Sequence, residues 1–293
     1  MQIIDAHQHL WDPRLFSYTW MKEIPTLNVQ SMIREYRKAT RNIGIFGSVY
    51  VDTDVDEQDL TAETAMIFSL ADQPENRILG IVAGAKLEKE RAFSHLAPFW
   101  GHPKLKGLRR VLHNQQDEIF YSPTFLGNLA HVSSYGLTFD LCIQSQQLPL
   151  AHALIRQFPK TSFILDHCGS PSIRDRQLHP WKENIKALAG EPNVVCKISG
   201  LVAYANPDDW SADHFRPFFE HIVESFGWNR ILWGGDWPVC TITCSIEQWI
   251  KITRALTSEA SDSELDALFF RNAQRVYRLQ LPTGSALESG DDF

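Results

Sequence analysis

The feature that most restricts this chain is a repeated alternation of short, apolar runs with longer amphipathic stretches. Eight runs read as strands: 2–7, 44–51, 78–83, 105–110, 137–143, 162–167, 194–199 and 230–235. Most are continuously apolar or β-branched, as strands covered on both faces are. Helical periodicity fills the gaps, over 29–39, 58–72, 88–97, 122–134, 148–157, 180–189, 213–226 and 245–256, with a further helix over 262–277. Such repetition is the pattern of parallel βαβ units. Eight units within 293 residues point to an α/β chain closed as a (β/α)8 TIM barrel over 1–281, with an open doubly wound sheet as the alternative. The turn after the first strand, His7-Gln8-His9-Leu10-Trp11, holds no glycine, and no phosphate-binding loop occurs, which counts against a dinucleotide-binding sheet. Residues 282–293 read as a polar tail that frays.

Composition narrows the function classes. Net charge is -7, from 28 Lys and Arg against 35 Asp and Glu, so the chain lacks the basic surface that nucleic-acid binding needs. No apolar run reaches the roughly 18 residues of a membrane span, and the first residues show no basic or apolar leader. The five cysteines are odd in number and scattered, which reads as reduced, buried thiols in a cytoplasmic protein. Nothing in the sequence sets the oligomeric state.

In a barrel, chemistry gathers at the C-terminal ends of the strands. Asp5, His7 and His9 alternate along the first strand and share one face, together with Ile3. Two imidazoles at such spacing can converge on one ion or one substrate oxygen. Phe163, Leu165 and His167 share a face of the sixth strand, and Gly169 follows shortly after. In the eighth, Gly234 and Gly235 let the backbone come close before Asp236 emerges. Since first and eighth strands adjoin in a closed barrel, Asp236 is expected beside His7 and His9. Lys197 interrupts an apolar strand, which costs free energy unless it is paired; snorkelling outward is the other option. Of Arg109 and Arg110, alternation lets one face inward, and Arg109, in phase with Gly107, is favoured. Taken singly, each has a bland reading as a capping or surface group. Together they aim several polar groups at one rim.

With these residues in view, the sequence resembles the amidohydrolase superfamily, in particular its sugar-lactone hydrolase branch (L-fuconolactonase, L-rhamnonolactonase and 2-pyrone-4,6-dicarboxylate lactonase). The resemblance rests on IDAHQHLWD (4–12), KLKGLRR (104–110), LDHCGSP (165–171), CKISGL (196–201) and GGDWPV (234–239). It implies a distorted barrel of the amidohydrolase type, a reaction centre of His7, His9, His167 and Asp236, and substrate contacts from Arg109 and Lys197. Binuclear members carry a bridging lysine on strand four and a further histidine on strand five. Here those strands read Leu-Arg-Arg and Phe-Asp-Leu-Cys-Ile-Gln, so the binuclear cage is missing. The branch includes members with one divalent ion and members with none. His7, His9, His167 and Asp236 are the metal ligands if an ion is bound, and zinc suits that donor set.

The expected reaction is hydrolysis of a sugar-acid lactone, a small-molecule substrate. Asp236 acts as general base, and the three imidazoles polarise the carbonyl directly or through an ion. An ordinary Asp is a weak base at neutral pH. Burial must raise it, or an ion must acidify the water. No Gly-x-Ser-x-Gly elbow offers a serine nucleophile. The aromatic loop 11–20 could wall the pocket, with Tyr18 or Trp20 against a sugar face, and Asp52, Gln144 and Trp237 are further rim groups. A metal-dependent decarboxylase or other amidohydrolase, and a non-catalytic sugar-acid-binding barrel, remain alternatives.

Overall fold

A computed structural model describes residues 2–282. Eight parallel strands stand in sequence order: β1 (Ile3–Gln8), β2 (Ile45–Val51), β3 (Ile78–Gly84), β4 (Leu105–Val111), β5 (Thr138–Cys142), β6 (Ser162–Leu165), β7 (Val194–Ile198) and β8 (Ile231–Trp233). Between and after them run α1 (Ile33–Thr40), α2 (Leu60–Ala71), α3 (Pro123–Ser134), α4 (Leu148–Gln157), α5 (Trp181–Ala189), α6 (Ala212–Phe226) and α7 (Ile246–Leu256). The sheet closes just past β8. Asp236 N–H donates to the His7 carbonyl at 2.8 Å, and His9 N–H to the Trp237 carbonyl at 2.9 Å. The expected barrel is therefore the fold, and the seam that closes it sets Asp236 against His7 and His9. The tail expected over 282–293 lies, Pro282 apart, outside the described residues.

Two apolar layers hold the barrel. Ile3, Phe139, Leu141, Phe163, Leu165, Ile198 and Trp233 pack outward among helix residues such as Phe125, Ile155, Phe215 and Trp249. Each such buried side chain contributes roughly 1.5–3 kcal/mol. A second cluster joins Ile4, Ala6, Val51, Val82, Ile164 and Leu232 to Tyr277 and Leu279 from the end of the described chain. Helix starts follow local chemistry. Ser245 caps α7, accepting from Gln248 N–H, while the Gln248 side chain returns a bond to Ser245 N–H. Pro123 opens α3 behind the Ser122 cap.

Two expected helices differ. Residues 88–97 form turns and a 3₁₀ segment, Ser94–Phe99. Pro98 cannot donate a helical hydrogen bond and disfavours helical geometry at Ala97. The stretch 262–277 is broken into α8 (Asp262–Asp266), a π-turn (Ala267–Arg271) and α9 (Asn272–Val276). All five cysteines are free and buried, and no helix among the described residues is long and apolar enough to cross a membrane.

Candidate active site

Simple alternation does not place the histidines. Asp5 faces away from the barrel mouth: its carboxylate accepts from the Tyr36 hydroxyl of α1 at 2.8 Å and from Gly235 N–H at 2.7 Å. Between Asp5 and Gln8 the register slips, three steps on β1 matching two on β2. An extra residue of this kind re-aims the strand, and His7 turns to the interior, with Nδ1 3.5 Å from Asp166. On β6, Phe163 and Leu165 belong to the outer layer. His167 reaches the mouth through a left-handed backbone, φ 53°, continued at Cys168, and Asp236 also sits at φ 53°. Such positions cost of order 1–3 kcal/mol and persist when their surroundings fix them. Glycines make room: a Cβ on Gly234 would stand 2.6 Å from the His7 Cβ, and one on Gly200 2.4 Å from His167 Nδ1.

The four expected residues meet. His7 Nε2 lies 3.1 Å from His9 Nε2 and 3.6 Å from Asp236 Oδ1, and His9 Nε2 lies 3.3 Å from that same oxygen. His167 Nδ1 stands 3.9 Å from Asp236 Oδ2 and 3.0 Å from the Ser199 hydroxyl. Tautomers follow from the outer partners. His9 Nδ1 faces the Val51 carbonyl at 2.8 Å and must carry the proton, leaving Nε2 as a lone pair. His7 Nδ1 faces the Asp166 carboxylate and carries its proton there.

Two lone pairs and an Asp236 oxygen that accepts no hydrogen bond thus converge within 3.6 Å. Around a tetrahedral ion at zinc–ligand distances, neighbouring donors stand about 3.3–3.6 Å apart. His7, His9 and Asp236 fit a divalent ion. A second grouping, His7, Asp166 and His167, is less suited, because Asp166 is already taken by two cations.

Those cations are Lys197 and Arg109. Lys197 Nζ binds Asp140 at 2.7 Å and Asp166 at 2.8 Å, and Tyr277 donates to Asp140 at 2.9 Å. Lys197 is wholly buried and does not line the cavity, so its placement departs from the expected substrate contact: two carboxylates satisfy the ammonium beneath the site. Arg109 Nε lies 3.2 Å from Asp166, Nη1 donates to the Asp52 carbonyl at 2.6 Å, and the side chain lines the cavity. Arg110 instead engages Glu88 through two hydrogen bonds, as the favoured phase required.

Charge states differ from the expectation for the base. Burial alone would raise Asp236, yet the charge of His167 outweighs it and Asp236 is lowered to about 2. Burial lowers His7 and His9, so both are neutral. Burial would also lower His167, but Asp236 outweighs it and His167 is raised. Asp166 is held well below the usual carboxylate range, its burial outweighed by Lys197 and His7.

Above the cluster opens a cavity of about 290 Å³ lined by His9, His167, Asp236 and Arg109. Trp11, Trp20, Ile24, Val239 and Ile242 form an apolar wall, and Thr53, Asp54, His113, Asn114, Cys142 and Tyr204 supply polar groups. Larger hollows around Arg254, Asn229 and Trp100 contain none of the imidazoles or carboxylates above. Trp20 is at the cavity, tethered by Nε1 to the Thr53 carbonyl at 2.9 Å. Tyr18 and Trp237 are not. Tyr18 packs behind Trp11, and Trp237 lies edge-on to Tyr36. Asp52 borders a neighbouring crevice, and Gln144 braces the His113 carbonyl. Sequence reasoning passed over Asp166, although it is in phase with inward Ile164, and His113 and Cys142, which follow the inward phase of β4 and β5.

Comparison with known proteins gives the chain's family. The amidohydrolase family profile matches residues 4–279. An L-fucono-1,5-lactonase of Burkholderia multivorans is 28% identical, with 97% of this chain and 98% of that protein covered. An L-rhamnono-gamma-lactonase of Scheffersomyces stipitis is 21% identical over 60% of this chain and 59% of its own length. A crystal structure of a B. multivorans amidohydrolase with bound zinc superposes at TM-score 0.86 and 26% identity, covering 96% of this chain and all of that one. With its barrel closed at the β8–β1 seam and its histidines and aspartate at one mouth, this chain belongs to the amidohydrolase family.

Proposed function

We propose that the protein hydrolyses a sugar-acid lactone to the open-chain acid, with Asp236 as the base. The observation that carries this reading is the Asp236 carboxylate, lining the cavity with Oδ1 free of hydrogen bonds and three imidazoles around it. The lactonases among the relatives support the substrate class. An ion held by His7, His9 and Asp236 would supply positive charge to polarise the lactone carbonyl or acidify the attacking water.

The chain's own groups divide the remaining work. Asp236 is ionised, so it can orient a water by accepting its hydrogen bond. As that water bonds to the carbonyl carbon its protons become strongly acidic, and a carboxylate of low basicity can take one late in the transition state. His167, raised by Asp236, and Arg109 bring positive charge to the side of the cavity where an oxyanion develops. Trp20 offers a flat apolar face for a ring, backed by buried Trp11, and Asn114, Thr53 and Asp54 can bond its hydroxyls. The test is direct: mix the protein with a panel of aldonolactones, L-fucono-1,5-lactone among them, and follow acid release with a pH indicator. Release above the spontaneous rate supports the reading; silence across the panel, with turnover of an aromatic carboxylate, overturns it.

A further inference from the structure

The mechanism above leaves unused one nucleophile in the cavity wall. Cys142 ends β5 and, of the five free cysteines, is the one that lines the cavity. Cys168, Cys196, Cys240 and Cys244 belong to the apolar layer between barrel and helices. The Cys142 sulfur lies 3.3 Å from Nδ1 of His113, which also lines the cavity. The backbone of His113 is held from two sides: its amide N–H donates to the Cys142 carbonyl at 3.1 Å, and Gln144 Nε2 donates to the His113 carbonyl at 2.9 Å. A thiol with a preset proton acceptor, beside the Arg109 guanidinium, has the surroundings that make cysteines nucleophilic.

We propose that Cys142 and His113 form a covalent-modification site for small, neutral, soft electrophiles that enter the substrate cavity, and that modification there closes it. Neutral reagents are specified because Trp11, Trp20, Ile24, Val239 and Ile242 present an apolar wall. With a haloacetamide the balance is simple. The sulfur bonds to the methylene carbon, the carbon–halogen bond breaks, halide leaves with the electron pair, and the thiol proton passes to His113. The added group occupies part of a space of about 290 Å³ shared with His167 and Asp236. Loss of turnover rests on the lactonase reading; labelling does not, so the two can fail separately.

The experiment treats the folded protein with iodoacetamide and follows labelling by intact mass and peptide mapping. Cys142 is expected to react at least about tenfold faster than the other four cysteines, as a thiol paired with an imidazole does. His113→Asn, which removes the proton acceptor, slows labelling of Cys142 by about tenfold. Treated wild type loses its lactone turnover, whereas treated Cys142→Ala keeps the rate it had untreated. Labelling of Cys142 no faster than that of the other four cysteines, an unchanged rate in His113→Asn, or equal inactivation of Cys142→Ala overturns the proposal. Circular dichroism of each variant confirms that the barrel is folded when labelled.

Discussion

Nδ1 of His9 lies 2.8 Å from the carbonyl oxygen of Val51, at the end of the neighbouring strand. This contact fixes the tautomer and turns Nε2 toward His7 and Asp236. A ligand so oriented is worth more than its donor atom alone: losing just an outer partner of a metal-bound histidine costs about 10–100-fold in affinity. His9→Ala should therefore weaken zinc binding at least about 100-fold, measured by competition with a chromophoric chelator. Unaltered zinc affinity in that variant would remove His9 from the ion's donor set.

Lys197 makes a prediction about stability. Its ammonium is buried between Asp140 and Asp166. Breaking a buried pair from one side costs about 3–5 kcal/mol, because the partner charge stays behind. Lys197→Met should lower the urea midpoint strongly. Adding Asp140→Asn removes one stranded carboxylate and should recover part of the loss. A single variant as stable as wild type would show that the carboxylates do not need the ammonium.

How far the site was legible in the sequence depends on the residue. Asp236 was placed beside the strand-one histidines by topology alone, since adjacent first and eighth strands are a property of any closed barrel. Asp5 was misplaced because a bulge is not visible in an apolar pattern. His167 was assigned the mouth for the wrong reason. Its strand stops at Leu165, and a left-handed turn, not alternation, delivers the imidazole. Lys197 was correctly singled out as a costly residue, but its two partners come from β5 and from the end of β6. Tertiary pairing of that kind leaves no local trace. Tyr18 and Trp20 are two residues apart on one aromatic loop, and which of them meets the cavity is settled by the Trp20 bond to Thr53.

Glu63 gives a prediction for pH. Burial, then repulsion from Asp52, raises its carboxyl from 4.5 to about 8; Tyr50 and Thr53 hydrogen-bond to it. Between these two values the folded chain holds a proton that the unfolded chain has released. The unfolded state then binds fewer protons, so this group's contribution falls as pH rises through the window. Glu63→Gln keeps the hydrogen-bonding shape and removes the titration. The drop in urea midpoint from pH 5 to pH 8 should be smaller in Glu63→Gln than in wild type. An identical drop would mean that Glu63 is ionised in the fold at neutral pH.

The reaction centre itself is tested most directly by Asp236→Asn, assayed on whichever aldonolactone the wild-type protein opens. The amide keeps the size of the side chain but cannot take a proton from water. Turnover number should fall by about 10²–10⁴-fold, with the circular dichroism spectrum unchanged. A folded Asp236→Asn protein that hydrolyses the lactone at the wild-type rate would contradict the account.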